Sequence, residues 1–488
     1  MQKACNSRVI PLRLALLLAA AALAACAGAP VGPDYHQPPE ALASQPGAAR
    51  PFAAAGSGVF SSAPLTASWW RLYHDERLDR MVAQALLHNT DLRQAVANLE
   101  RVRAIEDEVA GAQQPTLSVN GGPSYGHVSG LSLLQPGYEP PNAYHYSANA
   151  GLSYQFDLFG QIRRAMEAAN ASSGAAQAAL DLVRVNVAAS TARAYAEVCS
   201  TGLQLQTAEK SVQLQAEALD ISERLQQAGR AGTMDIARAR AQLRQLDAAL
   251  PPLQAERQGA LYRLATLTGV LPQDFPRDVA GCTTPPRVAG TVPVGDGAAL
   301  LRRRPDIRQA ERGLAEATAR IGVAVADLYP KVSLGLSAGS VGLANGFGQR
   351  DTRSWSLGPL ISWTLPNTGA VQARIAQAEA GTRAALAKFD GTVLTALRET
   401  ETALNVYARE LDRRAALQAA RDDSASAAAQ ARALYRNGKT NYLDTLDAER
   451  SLAASEAALA ASEAQLAGDQ VALFLALGGG WDGGAMMN

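Results

Sequence analysis

The sequence predicts an α+β membrane protein: a long α-helical barrel plus a transmembrane β-barrel shared between copies, with an internal two-fold repeat and a mixed equatorial collar. Three observations predict it. The chain repeats itself, since Leu225, Gly229, Asp235 and Leu243 recur as Leu434, Gly438, Asp444 and Leu452 at one offset of 209 residues. Four stretches alternate apolar with small polar residues, as strands do. Two helical runs, Gly160 to Gly229 and Gly369 to Gly438, are each 69 residues long, roughly 100 Å at helical rise.

The chain opens with Lys3, Arg8 and Arg13 before an apolar run from Leu14 to Ala25, which is too short for a membrane span and has the form of a secretory signal. It ends in Leu23, Ala24, Ala25 and Cys26, the pattern of a bacterial lipobox, in which cleavage precedes the cysteine and Cys26 takes an acyl anchor such as palmitate. Residues 1–25 are therefore expected to be a removed signal peptide, and 26–70 a lipidated segment leading into the collar. Beyond the signal no uncharged apolar run reaches about 18 residues, so any membrane spanning falls to strands. The 48% apolar content is mostly alanine with only 5% aromatics, which suits close helix packing better than a large globular core. A formal net charge of zero gives no electrostatic case for a nucleic-acid partner.

The repeat extends beyond the first motif. "DLRQA" (Asp91 to Ala95) recurs as "DIRQA" (Asp306 to Ala310), and Pro115 recurs as Pro330, both at an offset of 215; by Ser153 and Ser362 the offset is 209. One connection between Leu117 and Ser153 is therefore longer in the first half. Each half reads as helical arm, strand, loop, strand, long helix, break and returning helix. The arms are 71–114 and 301–329, the barrel hairpins 115–159 and 330–366. Long helix, tip and returning helix occupy 160–269 and 367–477, with an equatorial linker at 270–300 and a tail at 478–488.

In the first hairpin Tyr144, Tyr146, Ala148, Ala150, Leu152, Tyr154, Phe156 and Leu158 oppose His145, Ser147, Asn149, Gly151, Ser153, Gln155 and Asp157. Trp355, Leu357, Pro359, Ile361, Trp363 and Leu365 repeat the pattern against Ser354, Ser356, Gly358, Ser362 and Thr364, with Leu360 the exception. Shorter alternations start at Leu117 and Val332. Such strands put apolar residues toward lipid and polar ones toward a lumen. Four strands cannot close, an open edge in lipid is not tolerated, and eight strands leave no pore, so the pattern calls for at least three protomers and twelve strands.

Returning helices of about 51 Å (Met234 to Thr268, Leu443 to Leu477) and arms of about 53 Å (Glu76 to Gly111) and 35 Å (Asp306 to Tyr329) pair end to end against the two long helices. Their broken ends need a collar, for which the Pro- and Gly-rich linker Pro272 to Gly297, the tail and the segment before Trp69 are available. At the far ends Gly229 to Gly232 and Gly438, with Asn437, supply the left-handed backbone a helix reversal needs. Asp444 and Asp447 begin the returning helix, three apart and so on one face. In a trimer they would form stacked acidic rings that draw cations; the alternative is that they, like Asp235, only cap helices.

Cys199 and Cys282 remain once the signal is removed and Cys26 acylated. They fall at about the same height, 45 Å and 51 Å from the tip, so they either bridge, tying the collar linker to the long helix, or stay free and buried. His36, His74, His88, His127 and His145 show no metal-ligand spacing. "GSVGLANGFG" lacks the lysine of a phosphate loop and reads as an external hairpin loop, while "RRRPD", aligned with "HNTD", reads as a helix start. No nucleophile stands with a base, so neither enzyme activity nor a cofactor is expected.

With "VGPDYHQP" (Val31 to Pro38), "LLRRRPDIRQAERGL" (Leu300 to Leu314) and the duplicated motifs at Asp235 and Asp444, nearly the whole mature chain resembles the TolC-type outer-membrane efflux factor family, in its OprM/NodT-like lipoprotein branch. The resemblance implies a homotrimer with a twelve-stranded outer-membrane barrel, a helical tunnel across the periplasm and an equatorial collar. It implies that Tyr435, Asp444, Asp447 and Asp235 constrict the periplasmic aperture, and that the turns at Gly229, Arg230, Gly232, Gly438 and Lys439 meet the hairpins of a periplasmic adaptor. One departure is plain: where a family member closes with an arginine this chain has Thr440 beside Lys439, and Met234 stands where a hydroxyl would be. The implied function is a passive duct for drugs or small solutes, fed by a resistance-nodulation-division pump of the inner membrane. The alternatives are a type I secretion duct for polypeptides and, from another class, a periplasmic coiled-coil adaptor, against which the four strands argue.

Overall fold

The protein, seen as a computed structural model, is described over residues 30–363 and 368–479. Cys26 and the expected signal peptide lie outside the described residues. Two compact units emerge, one from residues up to Gln37, Glu100–Ala175 and Glu311–Ala387, the other from Pro38–Leu99, Ala176–Ala310 and residues from Lys388 onward.

In chain order the elements of the first half are β1 (Phe60–Ser61), α1 (Glu76–His88), α2 (Thr90–Gly111), β2 (Thr116–Gly126), β3 (Ala143–Phe156), α3 (Gln161–Gln227), α4 (Thr233–Asp247) and α5 (Leu250–Leu267). The second half supplies β4 (Val292–Pro293), α6 (Gly297–Arg303), α7 (Pro305–Ala326), β5 (Lys331–Leu343), β6 (Arg353–Ser362), α8 (Thr368–Arg436) and α9 (Tyr442–Ala476). The strand connection is longer in the first half, 127–142 against 344–352.

Two helices expected to be continuous are broken. The first arm stops at Asn89, whose side-chain oxygen accepts from the backbone N–H of Asp91 and Leu92 and so starts α2 afresh. The first returning helix splits at Ala248 and Ala249, because Pro251 and Pro252 have no N–H to offer the carbonyls of Asp247 and Ala248. Ala460 and Ala461 occupy the matching places in α9, which runs unbroken for 35 residues.

In the first unit the strands form one antiparallel sheet in the order β2-β3-β5-β6. Its register sorts the two faces. Leu117, Leu152, Leu336 and Leu357 make one row across all four strands, while the adjoining row on the opposite face is Ser118, Gly151, Ser337 and Ser356. Leu360, opposite Ser333, is an apolar intruder on the polar face, as are Val341 opposite Ser147 and Leu343 opposite His145 toward the loop end. Hydroxyls on that face are satisfied locally, with Ser337 and Ser356 at 2.8 Å and the Ser118 hydroxyl donating to the Gly151 carbonyl.

The same unit holds the N-terminal motif in place. Arg164 on α3 is only 1% exposed, and its guanidinium donates to the carbonyls of Val31 and Gly32 at 3.0 Å each, to Asp34 at 2.8 Å and to Glu167 at 2.7 Å. Tyr35 donates to Glu311 at 2.7 Å, so "VGPDY" touches the "RPDIRQAERGL" motif. A Cβ on Gly32 would lie 2.5 Å from the Gly322 Cα, an approach open only to glycine.

The second unit has an aromatic core. Trp69 is fully buried, stacked on Phe474 at 4.7 Å and edge-on to Trp70 and Tyr73. Arg304, the last arginine of "RRRPD", is buried too, bonding Asp306 at 2.7 Å, Glu399 at 2.9 Å and the Ala476 carbonyl at the end of α9 at 2.9 Å. Asp75 caps α1 with one oxygen and accepts from the Tyr195 hydroxyl on α3 with the other. β1 pairs in parallel with β4, joining the segment before Trp69 to the linker. Cys199 on α3 and Cys282 in the linker form a disulfide with Cα atoms 4.6 Å apart, closing a separation of 83 residues. Mutating both cysteines to serine is expected to cost about 2–4 kcal/mol, read as a lower unfolding midpoint of the second unit under non-reducing conditions.

Candidate functional site: the paired tip turns

The duplicated motifs fold into two turns with the same hydrogen bonds. After α3 the Gly229 N–H reaches Gln226 and the Arg230 N–H reaches Leu225, both at 2.8 Å; after α8 the Gly438 N–H reaches Tyr435 and the Lys439 N–H reaches Leu434, both at 2.9 Å. Gly229 and Gly438 take φ of +70° and +67°, the left-handed conformation that closes a helix this way. The Arg230 guanidinium lies 3.4 Å from where a Gly438 side chain would begin, so the turns touch.

Each returning helix then starts differently. Asp235 reaches back to the Gly232 N–H at 3.3 Å and stands 3.9 Å from Arg238. In α9 the cap is Asn441, which accepts from the Asp444 N–H at 2.9 Å, while the Asp444 carboxylate accepts from the Thr440 hydroxyl at 2.6 Å. Thr440 thus orients Asp444. Asp447, one turn on, is exposed. Met234 and Leu443 hold matching places, 63% and 50% exposed.

Behind the acids lies a tyrosine pair. The Tyr435 and Tyr442 rings are 5.6 Å apart, and Tyr442 packs with Ala239 and Leu446. Burial raises the pKa of the Tyr435 phenol, a hydrogen bond with Ser222 offsets part of that, and the charge of Asp235 adds to it. Tyr442 is pushed up to about 12, by burial first and then by Glu449, Tyr435 and Asp235, with the nearby Gln215 amide offsetting part of it; the hydroxyl itself is buried without a hydrogen bond among the described residues. Both phenols therefore stay neutral. Arg432 on α8 pairs with the buried Glu449 at 3.0 Å, and Arg450 donates to Gln242 at 2.8 Å, joining α9 to α4.

Asp235 and Tyr435 thus share one electrostatic neighbourhood, with Asp444 and Asp447 on the exposed start of α9. Tyr442, Glu449 and Arg432 were not singled out from sequence; Tyr442 directly follows an asparagine cap, and that position was the available signal. Replacing Gly438 by Ala is expected to cost about 1–2 kcal/mol, more than the same change at helical Gly391, measured as the difference in unfolding free energy.

Residues 81–270 and 298–479 match the profile of the family described as outer membrane efflux protein. The chain is 28% identical over 463 residues, 93% of its length and 95% of the relative's, to nodulation protein T of Rhizobium leguminosarum bv. trifolii. It is 29% identical over 481 residues, covering 94% and 97%, to the solvent efflux pump outer membrane protein SrpC of Pseudomonas putida. Among solved structures, the outer-membrane channel OprN matches with a TM-score of 0.85 and 37% identity, over 92% of this chain and 99% of that one. With paired tip turns, a four-stranded sheet and two helices of 67 and 69 residues, the chain belongs to the outer membrane efflux protein family.

Proposed function

We propose that this outer-membrane efflux channel is the passive duct of a tripartite export system, working as a homotrimer with a periplasmic adaptor and a resistance-nodulation-division pump of the inner membrane. Three four-stranded sheets close into a twelve-stranded barrel, and the long helices form a tunnel ending at the paired turns. The register carries this reading: the row Leu117, Leu152, Leu336 and Leu357 crosses all four strands on one face, the row Ser118, Gly151, Ser337 and Ser356 crosses them on the other, and β2 and β6 are left as edges. On the apolar face Leu117, Trp355 and Ile361 are bare among the described residues, while Tyr146 near the loops is covered by Phe347. Drugs or small solutes are the cargo that fits, in line with the solvent efflux named for SrpC.

In the trimer Asp444 and Asp447 ring the aperture, with Asp235 and Tyr435 behind them. The turns at Gly229, Arg230, Gly232, Gly438 and Lys439, flanked by exposed Met234 and Leu443, offer the adaptor backbone, charge and apolar surface together. An acyl anchor on Cys26 would start four residues before Pro30, where Arg164 holds the chain beside the end of β3.

Paired variants test the barrel. Leu336→Arg should cost about 2–4 kcal/mol in bilayer, while Ser337→Arg on the other face should fold and alter conductance; equal tolerance would argue for a soluble sheet. For the aperture, Asp444→Ala with Asp447→Ala should raise single-channel conductance and move the reversal potential in a salt gradient toward zero. Unchanged values of both would remove the acidic ring, and cross-linking to a species other than a trimer would remove the barrel.

A further inference from the structure

Where α9 passes the aromatic core of the second unit, it turns two faces in different directions. One is taken up by the collar segments: Phe474 stacks on Trp69, and Gln470, one turn earlier, donates to the Tyr407 hydroxyl at 2.8 Å and accepts from the backbone N–H of Val288 in the linker at 3.2 Å. Asp469, Ala472 and Ala476 stand about 140–160° around the helix from Phe474. They line a cavity of about 490 Å³ bounded by α3, α8 and α9.

Its walls are largely apolar, from Leu182 and Val185 of α3, Val406 of α8 and Leu475 of α9. The charges at its edge answer one another, with one exception. Arg304 bonds Asp306 and Glu399, and Arg398 stands 3.9 Å from Glu399. Asp469 has no ion pair among the described residues: Oδ1 accepts from Gln465 at 2.8 Å, and Oδ2 is buried with no hydrogen bond. Burial raises its pKa, the Gln465 bond offsets part of that, Glu410 adds to it and Arg193 opposes it. The carboxylate thus lacks the donors that water would give it. The first hairpin does not repeat the arrangement, since at the offset of 209 Asp469 falls on Ala260 and Ala472 on Arg263.

We propose that this cavity binds amphiphilic amines, with the ammonium head on Asp469 and the apolar body against Leu182, Val185, Val406 and Leu475, and that it takes them from the lumen. This rests on the duct reading above: the collar segments lie outside the tunnel, so the face of α9 turned away from them looks inward. The volume is that of a site for a drug-sized ligand. An ammonium donor makes a shorter and stronger bond to the carboxylate than the neutral Gln465 amide can, and Gln465 is exposed and free to give way. In a trimer each copy would carry one such station at the same height.

Dansylcadaverine, a primary amine on an aromatic body, tests this against its N-acetylated, uncharged form, with binding to the full-length protein in detergent read by fluorescence anisotropy. The wild type should bind the amine at least about tenfold more tightly than the acetylated form, and Asp469→Asn should lose that preference. Val406→Trp, at an exposed position, should fill the cavity and weaken binding of both forms. Equal affinity for the two probes, or wild-type binding in both variants, would overturn the site. So would loss of binding in the Asp444→Ala, Asp447→Ala variant, which would put the amine at the aperture instead. In planar bilayers the amine should interrupt the wild-type current in brief blocks that Asp469→Asn shortens. A wild type that binds and conducts yet shows no blocks would overturn the lumenal placement, whereas one that binds as expected and conducts nothing would overturn the duct and leave the site standing.

Discussion

A backbone N–H or C=O in hydrocarbon has no water to turn to, and that constraint governs the sheet. β2 and β6 each present a row of such groups, and among the described residues no fifth strand pairs with them. The proposed barrel would pair them with the edges of neighbouring copies. In the proposed trimer, where copies join edge to edge, the alternation gives one face to lipid and one to a lumen, and the lumen face mixes hydroxyls with Asn120, Asn149, His145 and Gln155. Serine and threonine hydroxyls donate to carbonyls of the neighbouring strand, as Ser118 does to Gly151 and Thr116 to Ser153.

The same demand, at the helix ends, explains the side chains that tie the second unit together. Asp75, Asn89 and Arg304 each settle the unpaired groups of a helix terminus and each spend a remaining polar atom on a distant element: Tyr195, the Leu267 carbonyl and Glu399. Caps become cross-links. The second unit is thus organised around places where helices stop, with the aromatic cluster at Trp69 packed against Phe474 near the end of α9.

What could be read in the sequence follows this logic. Period-2 alternation and a two-fold repeat are local or self-referential signals, so the four strands, their faces, the intruding Leu360 and the two left-handed glycines were all legible before any contact was known. Asp235, Asp444 and Tyr435 were placed by the repeat and by resemblance, and the fold shows what surrounds them. The Asn89 and Pro251–Pro252 breaks were visible as residues but overridden by the assumption that a helical composition runs straight through. Arg164 left no signal at all. Its partners at Val31, Gly32 and Asp34 lie some 130 residues earlier, and only folding brings two carbonyls and a carboxylate onto one guanidinium. Height along a helix put Cys199 level with Cys282, whereas azimuth, which decides bonding, is set by packing.

The repeat is itself an argument about where change is tolerated. Turn geometry allows almost nothing: the backbone must go left-handed at one residue, and the bonds from Arg230 to Leu225 and from Lys439 to Leu434 are the same because no other closure fits. Midway along the returning helices there is no such demand. Prolines at 251 and 252 meet solvent, so they offend only the helix's own hydrogen bonds, whereas at Ala460, fully inside the α8–α9 contact, a ring would strike its neighbours. At this place the copy that carries the break is the one whose helix middle is exposed in the chain.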